Sequence, residues 1–502
     1  MTGIEESALK EFWDDEAPRN YIAGTWREAG RRYDSVNPST GSVFTSVPDS
    51  TAQEVDEAVS VAQAAGPQWA SLSVGQRVET LMGLAPLLED WRERLTLLES
   101  IDSGNPLGAT RRDNELGARY LRQWPAQALT RQGAFRQPYA DGVSLTTRVP
   151  YGVVGKIIAY NHPTLFPVAG MIYPLLAGNT MVIKASEQTP VATLALGRVI
   201  GEALPAGVVN IVSGRAEAGD ALAVSPRVKR LAFTGSGSTA LRIQSRLSVS
   251  GVVKHFSAEL GGKNAIVVFA DADLDRAVEA IVAGASLTIS QGQSCQSTAR
   301  VIVQDPVAAL VEERVSARLR ALRVGPAYSA TTDMGPLVSA THLGRVLGLV
   351  DEAVSMGARV VCGGARLRDS LGDGFYMEPT MLADVPSGAR IATEEVFGPV
   401  LTLETFSTES QAIALANQTD LGLSAAVWTD SVECALRVSF ALQAGYVWVN
   451  DANRHYFGSP FGGVKGSGTG REESLEEFDS FTELRSVNIR VPGLNGAGHV
   501  GI

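Results

Sequence analysis

Cysteine is scarce in this chain. The 502 residues hold three, Cys295, Cys362 and Cys434, odd in number, far apart and without a C-x-x-C pair. That excludes a disulfide framework or a cysteine-built zinc site and fits a reducing compartment; no metal is expected. Basic charge is short as well. Fifty-four acids against 43 lysines and arginines leave a net charge of −11, which argues against nonspecific binding to nucleic acid or to an anionic membrane. No apolar run reaches the ~18 residues of a membrane span. Ile157 to Leu176 comes nearest, and Asn161, His162 and three prolines break it. Residues 1–16 carry six acids and neither the basic nor the apolar part of an export signal, so the expected location is the cytoplasm.

What the chain does have is length and apolar content. It exceeds one ordinary domain and predicts about two or three. A hydrophobic share of 45% with 19% charged residues supplies large cores. Residues 1–20 read as a charged, loosely ordered lead-in, and Pro492–Ile502 as a frayed Gly-rich tail. Val55, Ala58, Val59 and Ala62 recur at helical spacing, and helical patterns continue over 74–102 and 114–130. Arg111, Arg112, Arg119 and Arg122 read as a solvated helix face, with a positive rim on a substrate entrance as the alternative. Residues 133–148 lack helical period and look like a strand leaving the main body.

From residue 153 the pattern changes. Short apolar runs at 153–159, 180–184, 209–212 and 230–234 alternate with helical segments, the mark of a parallel, doubly wound sheet. A second α/β block begins near Val253. Ligands in such sheets bind beyond the carboxyl ends of the strands. Three ends here are polar: Tyr160-Asn161-His162, Lys184-Ala185-Ser186-Glu187, and Gly235-Ser236-Gly237-Ser238-Thr239-Ala240. The last fits G-x-G-x-x-A between a strand and a helix, where backbone amides can receive a pyrophosphate. Lys184 can reach ribose or phosphate. A carboxylate such as Glu187 accepts from ribose hydroxyls and repels a 2′-phosphate, which favours NAD over NADP. The other singular stretch is Ser290-Gln291-Gly292-Gln293-Ser294-Cys295. Small and amide residues surround this thiol instead of a core's Val, Leu and Ile. Gly292 lets the backbone pass close to another element, and a thiol on such a turn becomes a nucleophile if its proton is taken.

Several ordered motifs resemble the aldehyde dehydrogenase superfamily from about Tyr21 to about Ile489. They are Pro150-Tyr151-Gly152-Val153-Val154-Gly155 with Asn161; Lys184-x-Ser186-Glu187; Phe233-Thr234-Gly235-Ser236; and Glu259-Leu260-Gly261-Gly262-Lys263. Further on come Gly292-Gln293-x-Cys295, Glu395-x-Phe397-Gly398-Pro399, and Pro460-Phe461-Gly462-Gly463-x-Lys465-x-Ser467-Gly468. The resemblance implies a Rossmann-like cofactor domain (1–134 and 150–255), an α/β catalytic domain (256–470) and a small β oligomerisation flap with the C-terminal tail (135–149 and 471–502). It implies NAD-dependent oxidation of an aldehyde to an acid, by a homodimer or homotetramer. Cys295 is the implied nucleophile, Glu259 the base and Asn161 the oxyanion donor. Lys184, Glu187, Gly235, Ser236, Glu395 and Phe397 are the implied cofactor contacts. By position, His162, Ser294, Gln296, Arg454 and His455 are the candidate substrate contacts.

Departures concern fine geometry and substrate. Tyr160 stands where the family usually has Trp, and His162 where an apolar or aromatic residue is frequent. The basic residue often carried about two turns further on is missing from Val168-Ala169-Gly170-Met171, and the helix between Glu259 and Cys295 is slightly long. An apolar or aromatic aldehyde is the default substrate. Arg454, His455 and the 111–122 arginines leave room for an anionic semialdehyde. Two other functions compete: transfer of the acyl group to coenzyme A, which Glu259 argues against, and a non-catalytic ligand-binding member of the fold.

Overall fold

The short apolar runs become buried parallel strands. In the first sheet Val209–Val212, Thr180–Lys184, Val153–Ile157, Val228–Thr234 and His255–Glu259 lie side by side in that order, all parallel. Antiparallel pieces, Asn20–Ile22 with Thr25–Arg27 and Gly468–Thr469, close its two edges. The order reverses at Val153–Ile157, and such a switch point opens a crevice beyond the strand ends. In the second sheet Ala265–Val268 lies between Arg300–Gln304 and Ser424–Trp428, and Val400–Phe406 follows Arg300–Gln304. Its only antiparallel member is Arg359–Cys362. The computed structural model describes residues 3–14, 16–368 and 371–491, so the tail expected at Pro492–Ile502 lies outside them. Among the described residues no helix is long and apolar enough to cross a membrane.

Three expectations about domain organisation need correction. The lead-in is a helix, Gly3–Trp13. Its acids dominate the sequence, but Ala8, Leu9, Phe12 and Trp13 fall on one helical face and are buried, with Phe12 5.3 Å from the Trp91 ring. The boundary expected at 255/256 cuts the first sheet, because His255–Glu259 is its strand and pairs Thr234 with Glu259. That strand is half polar and offers no apolar run to read. Lastly, part of the segment assigned to the flap belongs to the first core: the helix Leu475–Ser480 carries Phe478, and Phe478 and Phe481 are buried in that core.

The flap itself is a three-stranded antiparallel sheet, Phe135–Tyr139, Gly142–Pro150 and Thr482–Arg490. The single strand expected over 133–148 is thus a hairpin. The long helix expected before Cys295 is also two pieces, Leu274–Gly284 and Leu287–Ser290, broken at Ser286 in the left-handed region (φ 55°). Asn453 Nδ2 holds the break by donating to Ala283 O at 3.2 Å.

Candidate active site

The carboxyl ends of the first sheet meet the loops that feed two adjacent strands of the second. Between them lies a cavity of about 820 Å³. Cys295, Glu259, Asn161, Lys184, Glu187, Gly235, Ser236, Glu395 and Phe397 all line it. Nine residues scattered between Asn161 and Phe397 thus share one wall.

Cys295 lies on the turn entering Arg300–Gln304, and Glu395 on the turn entering Val400–Phe406. The two turns touch. A Cβ at Gly292 (φ 72°) would overlap the Gly398 carbonyl, so only glycine permits this approach. Asn264 Nδ2 donates to Cys295 O at 2.7 Å and to Ser297 O at 3.0 Å, fixing the thiol's backbone. Burial pushes the Cys295 thiol well above its ordinary range, and the carboxyls of Glu395, Glu259 and Glu472 add to this. The Gln296 backbone N–H pulls the other way. Cys295 therefore rests as a thiol, and a nucleophilic role would need a proton acceptor or a nearby positive charge.

Glu259 ends its strand beside the Gly-Ser turn, and Gly235 N–H donates to Glu259 O at 3.0 Å. Both of its carboxyl oxygens are buried without a partner. Burial holds its pKa well above the usual carboxylate range, with Glu472 and Glu477 reinforcing and Arg471 and Lys156 opposing. Lys156 was not foreseen. It rises from the fully buried strand Val153–Ile157 and pairs with Glu472 Oε1 at 3.0 Å. Its side-chain end fills the hollow over Gly170, where any Cβ would overlap Nζ, Cε and Cδ. The ammonium beside Glu472 thus comes from the strand. A lysine inside an apolar strand run was the available signal, since a buried lysine needs an acid. Asn161, after the same strand, is 3% exposed, and its Oδ1 has no partner.

At the far end, Ser236 caps the helix Gly237–Leu247 by accepting from Thr239 N–H at 3.3 Å. The first-turn amides of a helix have no intrahelical partner, and a Cβ on Gly237 would meet nothing within 4 Å. Open space over a helix N-terminus fits a dinucleotide pyrophosphate. Lys184 Nζ donates to Glu187 Oε2 at 3.2 Å on the rim nearby. Glu395 accepts from Gly262 N–H at 3.0 Å, and burial raises its pKa to about 7.

The five expected substrate residues lie outside this wall. Gln296 donates to Asn453 Oδ1 and bonds His455 Nε2, while His455 Nδ1 faces Glu473 at 2.8 Å. His162 Nδ1 is 2.6 Å from Asp113 Oδ2, with its ring edge-on to Phe166, which lines the cavity. Ser294 is buried, and Arg454 is exposed over the Tyr456 ring at 5.1 Å. Two of the helix-face arginines are paired, Arg111 with Glu93 at 2.7 Å and Arg122 with Glu89, and Arg112 and Arg119 are exposed. His342 and Arg345 are among the wall residues that went unread in the sequence. They belong to no motif, and only the Ser339 cap before a helical pattern marked their segment.

Comparison with known proteins agrees over nearly the whole chain. The model of the Aldehyde dehydrogenase family matches residues 26–487. Aldehyde dehydrogenase tropH of Talaromyces stipitatus is 37% identical over 491 residues, covering 96% of this chain and 94% of that protein. PnpE of Pseudomonas sp. WBC-3, solved with nicotinamide adenine dinucleotide, is 37% identical and covers 95% of this chain and 98% of its own, at TM-score 0.92. Aldehyde dehydrogenase of Bacillus cereus, solved with NAD+, is 32% identical, covers 98% and 99%, and has TM-score 0.92. The protein is an NAD(P)-dependent oxidoreductase, with NAD as the supported cofactor. It belongs to the aldehyde dehydrogenase family, and the fold class expected from the motifs holds.

Proposed function

We propose that this enzyme oxidises a neutral aldehyde to the free acid through a covalent intermediate on Cys295. One observation carries the reading: the thiol, the unpartnered Glu259 carboxyl and Asn161 line the same cavity as the six expected cofactor residues. Cys295 gives its thiol proton to solvent water, the thiolate Sγ adds to the carbonyl carbon, and the carbonyl oxygen becomes an oxyanion. The Asn161 amide and the Cys295 backbone N–H are its donors, already in place before charge develops. NAD, when held by Lys184, Glu187, Gly235, Ser236, Glu395 and Phe397, would supply the hydride acceptor, and loss of hydride from that carbon leaves a thioester on Cys295. Glu259 then takes a proton from water, the water oxygen attacks the thioester, and the sulfur departs with the acid released. Glu259's two free oxygens support this role, because nothing in the protein competes for them. Glu187 on the rim supports a preference for NAD over NADP.

The charge inventory supports a neutral substrate. Of the cations proposed for an anionic semialdehyde, His455 is matched by Glu473, Arg111 by Glu93 and Arg122 by Glu89, Arg454 lies over the Tyr456 ring, and none of them, nor exposed Arg112 and Arg119, lines the cavity. NADH formation should be measured over neutral aromatic, neutral aliphatic and carboxylate-bearing aldehydes without coenzyme A. The neutral classes should give the higher kcat/KM. A carboxylate-bearing aldehyde in first place would overturn the charge reading. Acid that appears only on adding coenzyme A would overturn the hydrolytic one, and silence across the panel would favour a non-catalytic member.

We also infer a homodimer or homotetramer. Thr482–Arg490 is an unpaired edge of the flap, and Tyr446–Val449 an unpaired edge of the second sheet. Exposed Val432, Leu436 and Phe440 form a stripe on the helix Val432–Ala441. Pairing such edges between copies would bury both. A monomer mass by light scattering at micromolar concentration would end this idea. The three cysteines are free thiols, which supports a reducing compartment such as the cytoplasm; fractionation into an oxidising one would argue otherwise.

A further inference from the structure

We propose that His342 and Arg345 are positioning residues for the cofactor: together they hold the turn Glu395–Phe397 in the conformation that sets the Glu395 and Phe397 side chains on the cavity wall. The inference rests on the reading of Glu395 and Phe397 as cofactor contacts.

Phe397 has φ 54°, in the left-handed region. A bulky side chain stays there only when its surroundings hold it. The holding groups come from one helix, Ala340–Ser355. His342 Nε2–H donates to Phe397 O at 2.6 Å. Arg345 donates from Nη1 to Val396 O and from Nη2 to Glu395 O, both at 2.7 Å. Three consecutive carbonyls thus each take a side-chain donor. On the other side, the Glu395 carboxyl accepts from Gly262 N–H, so the turn is held both by its backbone and by its side chain.

The same two residues are built into the site. Both line the cavity. His342 is fixed at its helix start, where its N–H donates to the capping Ser339 hydroxyl at 3.2 Å. Tyr160, Phe397 and His342 form a triangle of rings, with centroids 5.7 Å apart for Tyr160–Phe397, 6.2 Å for Tyr160–His342 and 6.3 Å for Phe397–His342. Tyr160 precedes Asn161. Gln293, two residues before the thiol, accepts from Val338 N–H at 3.1 Å just ahead of the same helix. The helix start therefore braces the turn against both the oxyanion side and the thiol side. Burial lowers the His342 pKa, opposed by the Phe397 carbonyl. The neutral ring has a single N–H, and that carbonyl takes it.

The test compares His342→Leu, His342→Gln and Glu395→Gln in the full-length enzyme, reading NAD KM, aldehyde KM, kcat, NAD affinity by fluorescence and Tm. His342→Leu loses the donor but keeps bulk. It should raise NAD KM and Kd about tenfold or more, leave aldehyde KM within about twofold and move Tm by only a few degrees. His342→Gln restores an N–H donor and should bring NAD KM back to within about threefold of wild type. A wild-type NAD KM in His342→Leu overturns the proposal, and so does a loss that Gln does not rescue. Should His342→Leu fail to fold, Arg345→Lys keeps charge but surrenders one of the two carbonyls and should raise NAD KM severalfold; an unchanged value overturns the proposal equally. Glu395→Gln separates the two layers. If it leaves NAD KM unchanged, the reading of this turn as a cofactor contact fails. If it raises NAD KM while His342→Leu does not, the bracing role alone fails.

Discussion

Cys295→Ala should abolish aldehyde oxidation, by about 10⁴-fold or more, while NAD binding stays within about twofold of wild type. The expectation comes from geometry. Cys295 is the one free thiol on the cavity wall, because Cys362 and Cys434 are buried elsewhere. Its backbone is fixed by Asn264, which does not depend on the side chain. Removing Sγ therefore leaves the turn and the cofactor residues in place and deletes only the bond-forming atom. Stopped-flow NADH formation and NAD fluorescence titration on one preparation separate the two effects. Turnover within tenfold of wild type would remove Cys295 from the nucleophile role. Joint loss of NAD binding would mean that the turn had collapsed, and the chemistry would then have to be judged from Cys295→Ser.

Glu259→Gln should split the reaction in half. Glutamine keeps size and hydrogen bonding but accepts no proton at neutral pH. Addition and oxidation on Cys295 can still run, so about one equivalent of NADH per site should appear as a burst. Steady turnover should then fall by roughly 10²–10⁴-fold, the usual worth of a general base. The acyl group should remain as a mass increase on the peptide containing Cys295. The pH dependence has a definite sign. Burial raises the Glu259 pKa, so its ionised form, the one able to act as base, is lost as pH falls through that raised value. Wild-type kcat should therefore decline on the acid side well above the range of an ordinary carboxylate, and the Gln variant should lack that limb. Wild-type turnover with no trapped acyl-enzyme would assign the water's proton to another group. A slowed burst would show that Glu259 also helps to deprotonate the thiol, whose own pKa its neighbourhood raises.

Much of this site was legible because its residues sit at strand ends and tight turns, where local patterns are strong. Gly235 and Ser236 follow a run of buried apolar residues and open a helix, and the structure places the cap at Ser236. Gly292 marked a close approach, and the approach is to Gly398. Other features depend on contacts between distant segments and leave little local trace. His342 and Arg345 act on backbone carbonyls some 50 residues away, as the separations of 55 and 51 for His342–Phe397 and Arg345–Val396 show. No side-chain pattern encodes a bond to a carbonyl. Glu259's strand was missed because His255-Phe256-Ser257-Ala258 is half polar and gains its place from pairing with Val228–Thr234. The acids of residues 5–16 hid a helix whose four apolar residues do the packing.

Gly170 and Lys156 have a consequence for how such a site can change over generations. The hollow beside Glu472 holds one ammonium, delivered here by a strand across a helix stripped of its side chain. A side chain at position 170 of the helix and the lysine at position 156 of the strand are alternatives that exclude each other sterically. A lineage that moves from one to the other in single steps must pass through an intermediate with two cations crowded into one hollow, or with none and an acid left uncompensated. The two positions are therefore expected to change together. Family members with glycine at the helix position and lysine at the strand position should form a coherent branch instead of appearing scattered, each fixed by a neighbour about fourteen residues away that a position-by-position reading treats as independent.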